Sequence, residues 1–507
     1  MPDSTSKSST PISEKRYSAI KSRAFSALQW QALNTFGRQI LTFLTGIFLA
    51  RLLAPEDFGL ISMATIAITW ISILGDAGVG VSLIQRNDLF DDDIATAFCI
   101  SVVISGLSAA LIVVMSPLVA NFYSAGHITS ILYVYALSVL LGGANVVPGS
   151  LLRRKLNFKS VSKVEITGTL VSGLVSISLA LRGIGPICVA IGSVVGLIAS
   201  LVVYFFMGLL RIGAFPSLIS VRRFGNFTIF ASGTRIVELI RVFIDNAIIG
   251  KWLGPVALGY YVIGYNLPAI PEYRVVGLIT SVAFPTMSTF GADRLMISHV
   301  YLKILRYASA AVLPMLIGLM LVADKLIPVI YGPKWFPTVP IMQILCLAGI
   351  GCSFGVLTDS PLLAMGKSRW TFLANLVWVG LLAGGLIWVL VLGYGLSGAA
   401  WVVTGSALII SVVRNVSTSW LCGVSLHEFY HAIFPATVAT TVMAILVLVL
   451  KNIIAVRSAD WIVLFSMVSV GSIAYIGTLI YLWPELRTNI LSALYRLSDK
   501  ESGKATR

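Results

Sequence analysis

Between positions 235 and 245 the chain reads RIVELIRVFID, which sets Arg235, Glu238, Arg241 and Asp245 among flanks that are apolar or small. On a helix these four lie within roughly 120° of arc and form one stripe. The segment QWQALNTFGRQILTFLTG at 29–46 carries a second stripe: Gln31, Asn34, Thr35, Arg38, Thr42 and Thr45. It spans about 100° of arc. Both stripes interrupt greasy sequence. An ionised group at the centre of a bilayer costs about 2.5–3.5 kcal/mol on insertion scales, so these residues face a bundle interior or water rather than lipid. Two readings fit. Neighbouring Arg–Glu and Arg–Asp pairs neutralise one another and hold helices together, or the stripes line a polar, water-filled cavity. The arginines outnumber the acids, which suits an anionic ligand, because a planar guanidinium grips phosphate oxygens bidentately. A substrate-binding set of Arg38, Arg235, Arg241, Gln31, Asn34, Glu238 and Asp245 is therefore expected.

Other candidates are more local. Asp76, in LGDAGVGVSLIQR, is read as a cavity residue or coupling-ion ligand, or as an interfacial cap. Glu272 and Arg274, in LPAIPEYRVVG, stand beside the prolines Pro268 and Pro271 and either pair locally or line a gate. Asp359 precedes Pro361 and reads as a helix-end residue. HEFYH at 427–431 fits the H-E-x-x-H zinc pattern. A catalytic zinc needs a third protein ligand, and none follows in the sequence, so no metal site is expected. GCSFG at 351–355 matches G-x-S-x-G but falls inside a helix-forming stretch rather than on a strand–turn–helix elbow. No P-loop signature is present, and no cofactor is expected.

The elements that must position these residues are membrane helices. Only 11% of the chain is charged and 57% is hydrophobic, against roughly 25% charged for a soluble domain. A spanning helix needs about 20 mostly apolar residues, and stretches of that length recur from about residue 25 to about 484. The expectation is an all-α polytopic membrane protein of about fourteen spans, one of which, 256–288, is long and broken by Pro268 and Pro271. Most Lys and Arg fall on one side if the N-terminus is cytoplasmic, including the cluster Arg153, Arg154, Lys155, Lys159 and Lys163. The positive-inside rule then puts both termini in the cytoplasm. The net charge of +15 follows from that topology, so no nucleic-acid partner is needed. The five cysteines form no CxxC, and neither disulfides nor a thiolate metal site is expected.

A weak internal repeat organises the spans. ARLLAPEDFG at 50–59 aligns with GKWLGPVALG at 250–259, matching Pro55 to Pro255 and Gly59 to Gly259. PGSLLRRKLNF resembles DSPLLAMGKSRW, and RGIGPICVAIGSVVG resembles LGYGLSGAAWVVTGS. Two pseudo-symmetric six-helix lobes in the same orientation are expected, with the substrate site between them. Their limits read as a disordered tail 1–24, an N-lobe 25–212, a linker 213–225, a C-lobe 226–422, two extra spans within 423–486 and a tail 487–507.

ARLLAPEDFGLISMA, LGDAGVGVSLIQR, GYYVIGYNLPAIPEYRVVGLITSVAFPTMS and VIYGPKWFPTVPIMQILCLAGI together resemble bacterial polysaccharide exporters of the MOP flippase superfamily, the Wzx-type flippases foremost. The resemblance covers about residues 36 to 420. It implies a MATE-like pair of lobes around a cationic cavity in the bacterial inner membrane. It implies alternating access, with undecaprenyl-pyrophosphate-linked oligosaccharide as substrate. It further implies membrane lipids, H+ or Na+, and polysaccharide polymerase and assembly proteins as partners, and transport rather than enzymatic activity. Multidrug antiporters share that fold and move free cations. The acids Glu238 and Asp245 suit that alternative, and an intramembrane zinc protease is the remote one.

Overall fold

The structure is a computed structural model that describes residues 11–75, 79–85, 89–209, 232–291, 293–454, 460–485 and 488. Side chains are described from Gln29 in the first helix and from Ile240 in the helix that follows residue 231. Asp76 and the side chains of Arg235 and Glu238 lie outside the described residues.

The described residues are helical, and 11 of the helices are long and apolar enough to cross a membrane. Their outward faces carry Leu373, Leu376, Val377, Trp388 and Val391 in one helix, and Leu107, Val114 and Leu118 in another. Water would not tolerate apolar faces of that extent, and hydrocarbon does. The chain divides into two units, Met1–Ile236 and Val237–Arg507.

The first unit contains α1 (Pro11–Leu52), α2 (Pro55–Gly75), α3 (Val79–Gln85), α4 (Asp91–Tyr123), α5 (Ile128–Arg154), α6 (Phe158–Leu181) and α7 (Ile187–Phe206). Composition alone reads residues 1–24 as a disordered tail, yet α1 already begins at Pro11. Proline suits a first helical turn, and the following Ala, Lys, Arg and Leu residues favour helix. α1 packs along α6, and α6 along α7. The α6–α7 seam is made of small residues at four-residue spacing: Gly168, Ser172 and Ser176 face Gly192, Gly196 and Ser200. Small residues let two backbones approach closely in a membrane, where apolar side chains gain little from leaving lipid.

The second unit begins within α8 (Ser232–Asn266), which kinks at Gly254 with φ 78°. That left-handed conformation costs glycine nothing, and Pro255 restarts the helix behind it. Pro55 likewise opens α2, so both prolines of the sequence repeat begin a helix. Pro268 and Pro271 break the expected span 256–288 into the end of α8, a π-helical turn Pro271–Val276 and α9 (Gly277–Ser288). Proline removes a backbone donor, and wide turns of this kind absorb the mismatch.

Then follow α10 (Arg294–Tyr331), α11 (Thr338–Leu357), α12 (Asp359–Ala364), α13 (Ser368–Val391), α14 (Gly395–Cys422), α15 (Leu426–Ile454) and α16 (Asp460–Leu482). α15 and α16 pack on α10 through Val322, Met443, Val447, Met467 and Tyr475. Their ends are pinned by Lys451–Asp324 at 2.8 Å and Lys325–Asp460 at 2.6 Å. At the other end Arg306 lies over the Trp483 ring, 4.3 Å from its centroid. The last two helices are thus part of the second unit's core.

Candidate functional site

Three helices of the first unit converge on one carboxylate. Glu165 stands about two turns into α6. Its Oε2 accepts from Arg38 Nη1 at 2.6 Å and from Asn34 Nδ2 at 2.8 Å, both on α1. Its Oε1 accepts from Arg153 Nη2 at 2.6 Å, in the last turn of α5. Nearby, Ser162 donates to the Trp30 carbonyl at 3.1 Å, which fixes α1 against α6. Arg38, Arg153 and Glu165 line a cavity of about 570 Å³. Asn145, Thr169 and Tyr204 add polar atoms to its wall, and the rest is mostly Gly, Ser and Val.

The α1 stripe therefore divides. Asn34 and Arg38 turn to Glu165, whereas Thr35 returns its hydroxyl to the Gln31 carbonyl at 2.9 Å and Gln31 is exposed. Two guanidinium groups on one carboxylate leave a local charge of about +1, with both arginine side chains about half open, at 48% and 47%, and the carboxylate at 18%. Such an arrangement can take an anion from its open side.

The second unit holds a different cluster. Asp245 is buried, accepting from the Tyr261 hydroxyl at 2.7 Å and from the backbone N–H of Asn246 at 2.7 Å. Arg241, one turn earlier, lies over the Trp378 ring of α13 at 4.7 Å. Buried Cys352 is close enough to interact electrostatically with Asp245, buried Glu272 and Arg241. Arg274 is exposed on the π-helical turn. Asp245 and Glu272, 27 residues apart in sequence, thus both lie near Cys352.

Arg414 offers a contrast. It is buried in α14 and bonds Asp359, the Thr358 hydroxyl at 3.0 Å and Asn375 at 3.4 Å. Its side chain is 3% exposed. Asp359 does sit at a helix junction, as its sequence implies, but it is also half of an ion pair across helices. Arg414 is enclosed where Arg38 and Arg153 are half open, although Asp359, at 29%, is more exposed than Glu165, at 18%.

Sequence reasoning passed over Glu165, Arg153 and Arg414. Glu165 was legible as the one acid in the apolar stretch 158–181. Arg153 reads as a loop charge, and the structure carries α5 on to Arg154.

HEFYH resolves into a helix start. Glu428 Oε2 accepts from the Ser425 backbone at 2.8 Å, and Ser425 Oγ accepts from the Glu428 N–H at 3.2 Å. This is a capping box. Among the described residues no group of three or more His, Cys, Asp or Glu could hold a metal ion. Glu428→Gln is expected to leave transport unchanged and to lower stability only slightly, since the neutral amide still reaches the Ser425 backbone from an exposed position. Thermal unfolding of the purified variant beside a complementation assay checks both.

Residues 48–340 match the family described as polysaccharide biosynthesis protein. The chain belongs to that family. Among curated relatives of this polysaccharide biosynthesis protein is the teichuronic acid biosynthesis protein TuaB of Bacillus subtilis. It is 26% identical over 93% of this chain and 98% of its own length. The succinoglycan biosynthesis transport protein ExoT of Rhizobium meliloti is 24% identical, over 77% of this chain and 78% of its own. The lipopolysaccharide biosynthesis protein WzxC of Escherichia coli is 22% identical, over 78% and 80%. Among solved structures, lipid II flippase MurJ matches with a TM-score of 0.71 at 14% identity, covering 90% of this chain and 99% of MurJ. An inward-facing MATE multidrug resistance transporter of the MOP superfamily matches at 0.58 and 13% identity, over 79% and 99%. This family member is a multi-pass membrane protein with the fold those two transporters share.

Proposed function

We propose that this protein is a flippase. It moves undecaprenyl-pyrophosphate-linked oligosaccharide across the bacterial inner membrane by alternating access, for assembly of a surface polysaccharide, with both termini in the cytoplasm. The observation that carries the reading is the open arginine pair, Arg38 and Arg153, on the wall of the first unit's cavity. In this reading the pair grips the diphosphate. The hydrated sugar occupies the polar, small-residue cavity, and the lipid tail stays in the bilayer. Asn34 holds the Glu165 carboxylate behind the pair, and Gln31, Arg235 and Arg241 are further polar contacts for the substrate. Asp76, Glu238, Asp245, Glu272 and Arg274 serve gating or coupling to H+ or Na+. The fold and the family support this assignment, and the relatives' names connect their own activities to polysaccharide synthesis and transport.

The test is polymer export in cells that lack the gene, complemented with Arg38→Ala, Arg153→Ala and the corresponding Lys variants at equal membrane abundance. Each Ala variant is expected to lose export by at least about tenfold, the equivalent of 1.4 kcal/mol. At least one Lys variant retains part of it, because lysine keeps the charge and loses the fork. Normal export by well-expressed Ala variants would overturn the assignment. An ion-coupled multidrug antiporter would show the reverse pattern, tolerating the arginine changes and failing at Asp245 or Glu238.

A further inference from the structure

Tyr204, near the end of α7, lines the first unit's cavity and is only 4% exposed. Its ring packs with Leu152 of α5 and with Val161 and Val164 of α6, so its position is fixed by three helices. Among the described residues its hydroxyl makes no hydrogen bond. Other polar groups of the same wall are partnered within the protein. Thr169 donates to the Glu165 carbonyl at 2.8 Å, Ser193 to the Val189 carbonyl at 2.9 Å and Asn145 to the Leu141 carbonyl at 2.8 Å. In the sequence repeat Tyr204 corresponds to Arg414 of α14, which bonds Asp359, Thr358 and Asn375. A buried hydroxyl without a partner is a net cost to the fold, and phenylalanine would fill the same space without it. The hydroxyl lies beside Gly149, where a Cβ would stand 3.1 Å from it, so glycine leaves that side clear. Tyr204 is also within electrostatic reach of Arg153 and Glu165.

We infer that the Tyr204 hydroxyl is a sugar-binding group, which hydrogen-bonds a ring hydroxyl of the sugar attached to the diphosphate, and that Gly149 keeps its approach clear. Its partner is a neutral group rather than a phosphate. α7 brings no charge to the cavity, since it contributes Ser193, Gly196, Leu197, Ser200 and Tyr204. The cations are Arg38 of α1 and Arg153 of α5, and phosphate oxygens go to them. A sugar hydroxyl both donates and accepts, as the phenol does, so the two match whichever way the proton points. The nearness of Arg153 assigns Tyr204 to the sugar next to the head group rather than to one further along the oligosaccharide. The inference rests on the flippase reading above.

The experiment measures binding of two short synthetic probes, farnesyl diphosphate and farnesyl diphosphoryl glucose, to the purified full-length protein in nanodiscs, beside thermal unfolding. Wild type is expected to bind the glucose probe more tightly. Tyr204→Phe should weaken the glucose probe by about fivefold, the loss of one neutral hydrogen bond, and leave farnesyl diphosphate within about twofold of wild type. Because the hydroxyl has no partner in the protein, Tyr204→Phe should unfold at or above the wild-type temperature. Gly149→Ala keeps the tyrosine and crowds its hydroxyl. It should weaken the glucose probe too, and add little when combined with Tyr204→Phe. It also gives the answer if Tyr204→Phe does not fold.

If Tyr204→Phe weakens both probes equally, the hydroxyl meets the phosphate; if it weakens neither, the hydroxyl meets only solvent. Either result overturns the inference, as does a wild type that binds both probes alike or a Tyr204→Phe variant that unfolds at a lower temperature. The site reading survives all of these so long as Arg38→Ala or Arg153→Ala abolishes binding of both probes. If wild type binds neither probe, or the arginine variants bind both as wild type does, the flippase site itself is misassigned and this inference falls with it.

Discussion

Replacing Arg414 with Ala is expected to destabilise the second unit by about 3–5 kcal/mol. The guanidinium is nearly enclosed and fixes three groups on two neighbouring segments: Thr358 and Asp359 at the α11–α12 junction, and Asn375 on α13. Removing Arg414 strips Thr358, Asn375 and the partly exposed Asp359 of their shared partner, and removing Asp359 leaves an enclosed guanidinium uncompensated, which costs more than the pair contributes as a whole. The reciprocal change Asp359→Leu should cost at least as much, since Arg414 is the more buried partner. Arg414→Met with Asp359→Leu should recover most of the loss, because a well-packed apolar pair replaces both charges. The protein carries its own reporter: Cys346, Cys352 and Cys422 are buried thiols of the same unit. Heating the purified protein with a thiol-reactive fluorophore should show Arg414→Ala unfolding on the order of 5–10 °C below wild type. A wild-type unfolding profile for Arg414→Ala, or a double variant no better than the single ones, would show that the pair is not what holds the junction.

The sequence exposed those features that depend on neighbours along the chain. Hydropathy identified membrane helices, since length and apolarity alone set that outcome. Gly254-Pro255 and Pro268/Pro271 marked breaks, because proline and glycine act on their own backbone. Asn34 and Arg38 stood out as polar residues in a greasy segment, and both hydrogen-bond Glu165. Their partner did not stand out. Glu165 lies 127 residues from Arg38, and no periodicity within α1 or α6 links the two. Arg153 seemed to belong to a basic loop cluster because positive-inside residues and cavity residues are the same residue types. Arg414 was hidden for a related reason. A charge close to a helix end is usually interfacial, and only the packing of α14 against α11 and α13 encloses this one. Long-range pairing is chosen by how helices stack, and the small residues that let them stack carry no chemical signature of their own.

Those small residues set the second large effect. A Cβ at Gly196 would lie 2.6 Å from the Gly168 carbonyl oxygen and 2.7 Å from the Ser172 Cβ, so the obstruction is partly backbone and cannot rotate away. At Gly192 a Cβ would lie 2.6 Å from the Ser172 carbonyl oxygen and closer still to the Ser176 hydroxyl. Gly196→Ala should therefore cost about 1–3 kcal/mol by overpacking, and Gly196→Leu should part α6 from α7. Gly46 provides the control, since nothing stands within 4 Å of a Cβ there. Gly46→Ala is expected to be neutral or to stabilise α1 by up to about 1 kcal/mol. The functional consequence follows from the register of α6. Gly168 is one turn from Glu165 on the same helix, and both line the cavity together with Gly196. Pushing α6 outward at Gly168 displaces the carboxylate that aligns Arg38 with Arg153, so export should fall even where the protein still reaches the membrane. Graded loss along Gly196→Ala and Gly196→Leu, with Gly46→Ala unaffected, is the expected pattern in complementation and unfolding assays. Export and stability indifferent to leucine at 196 would mean that α6 and α7 are not held at this distance in the working protein.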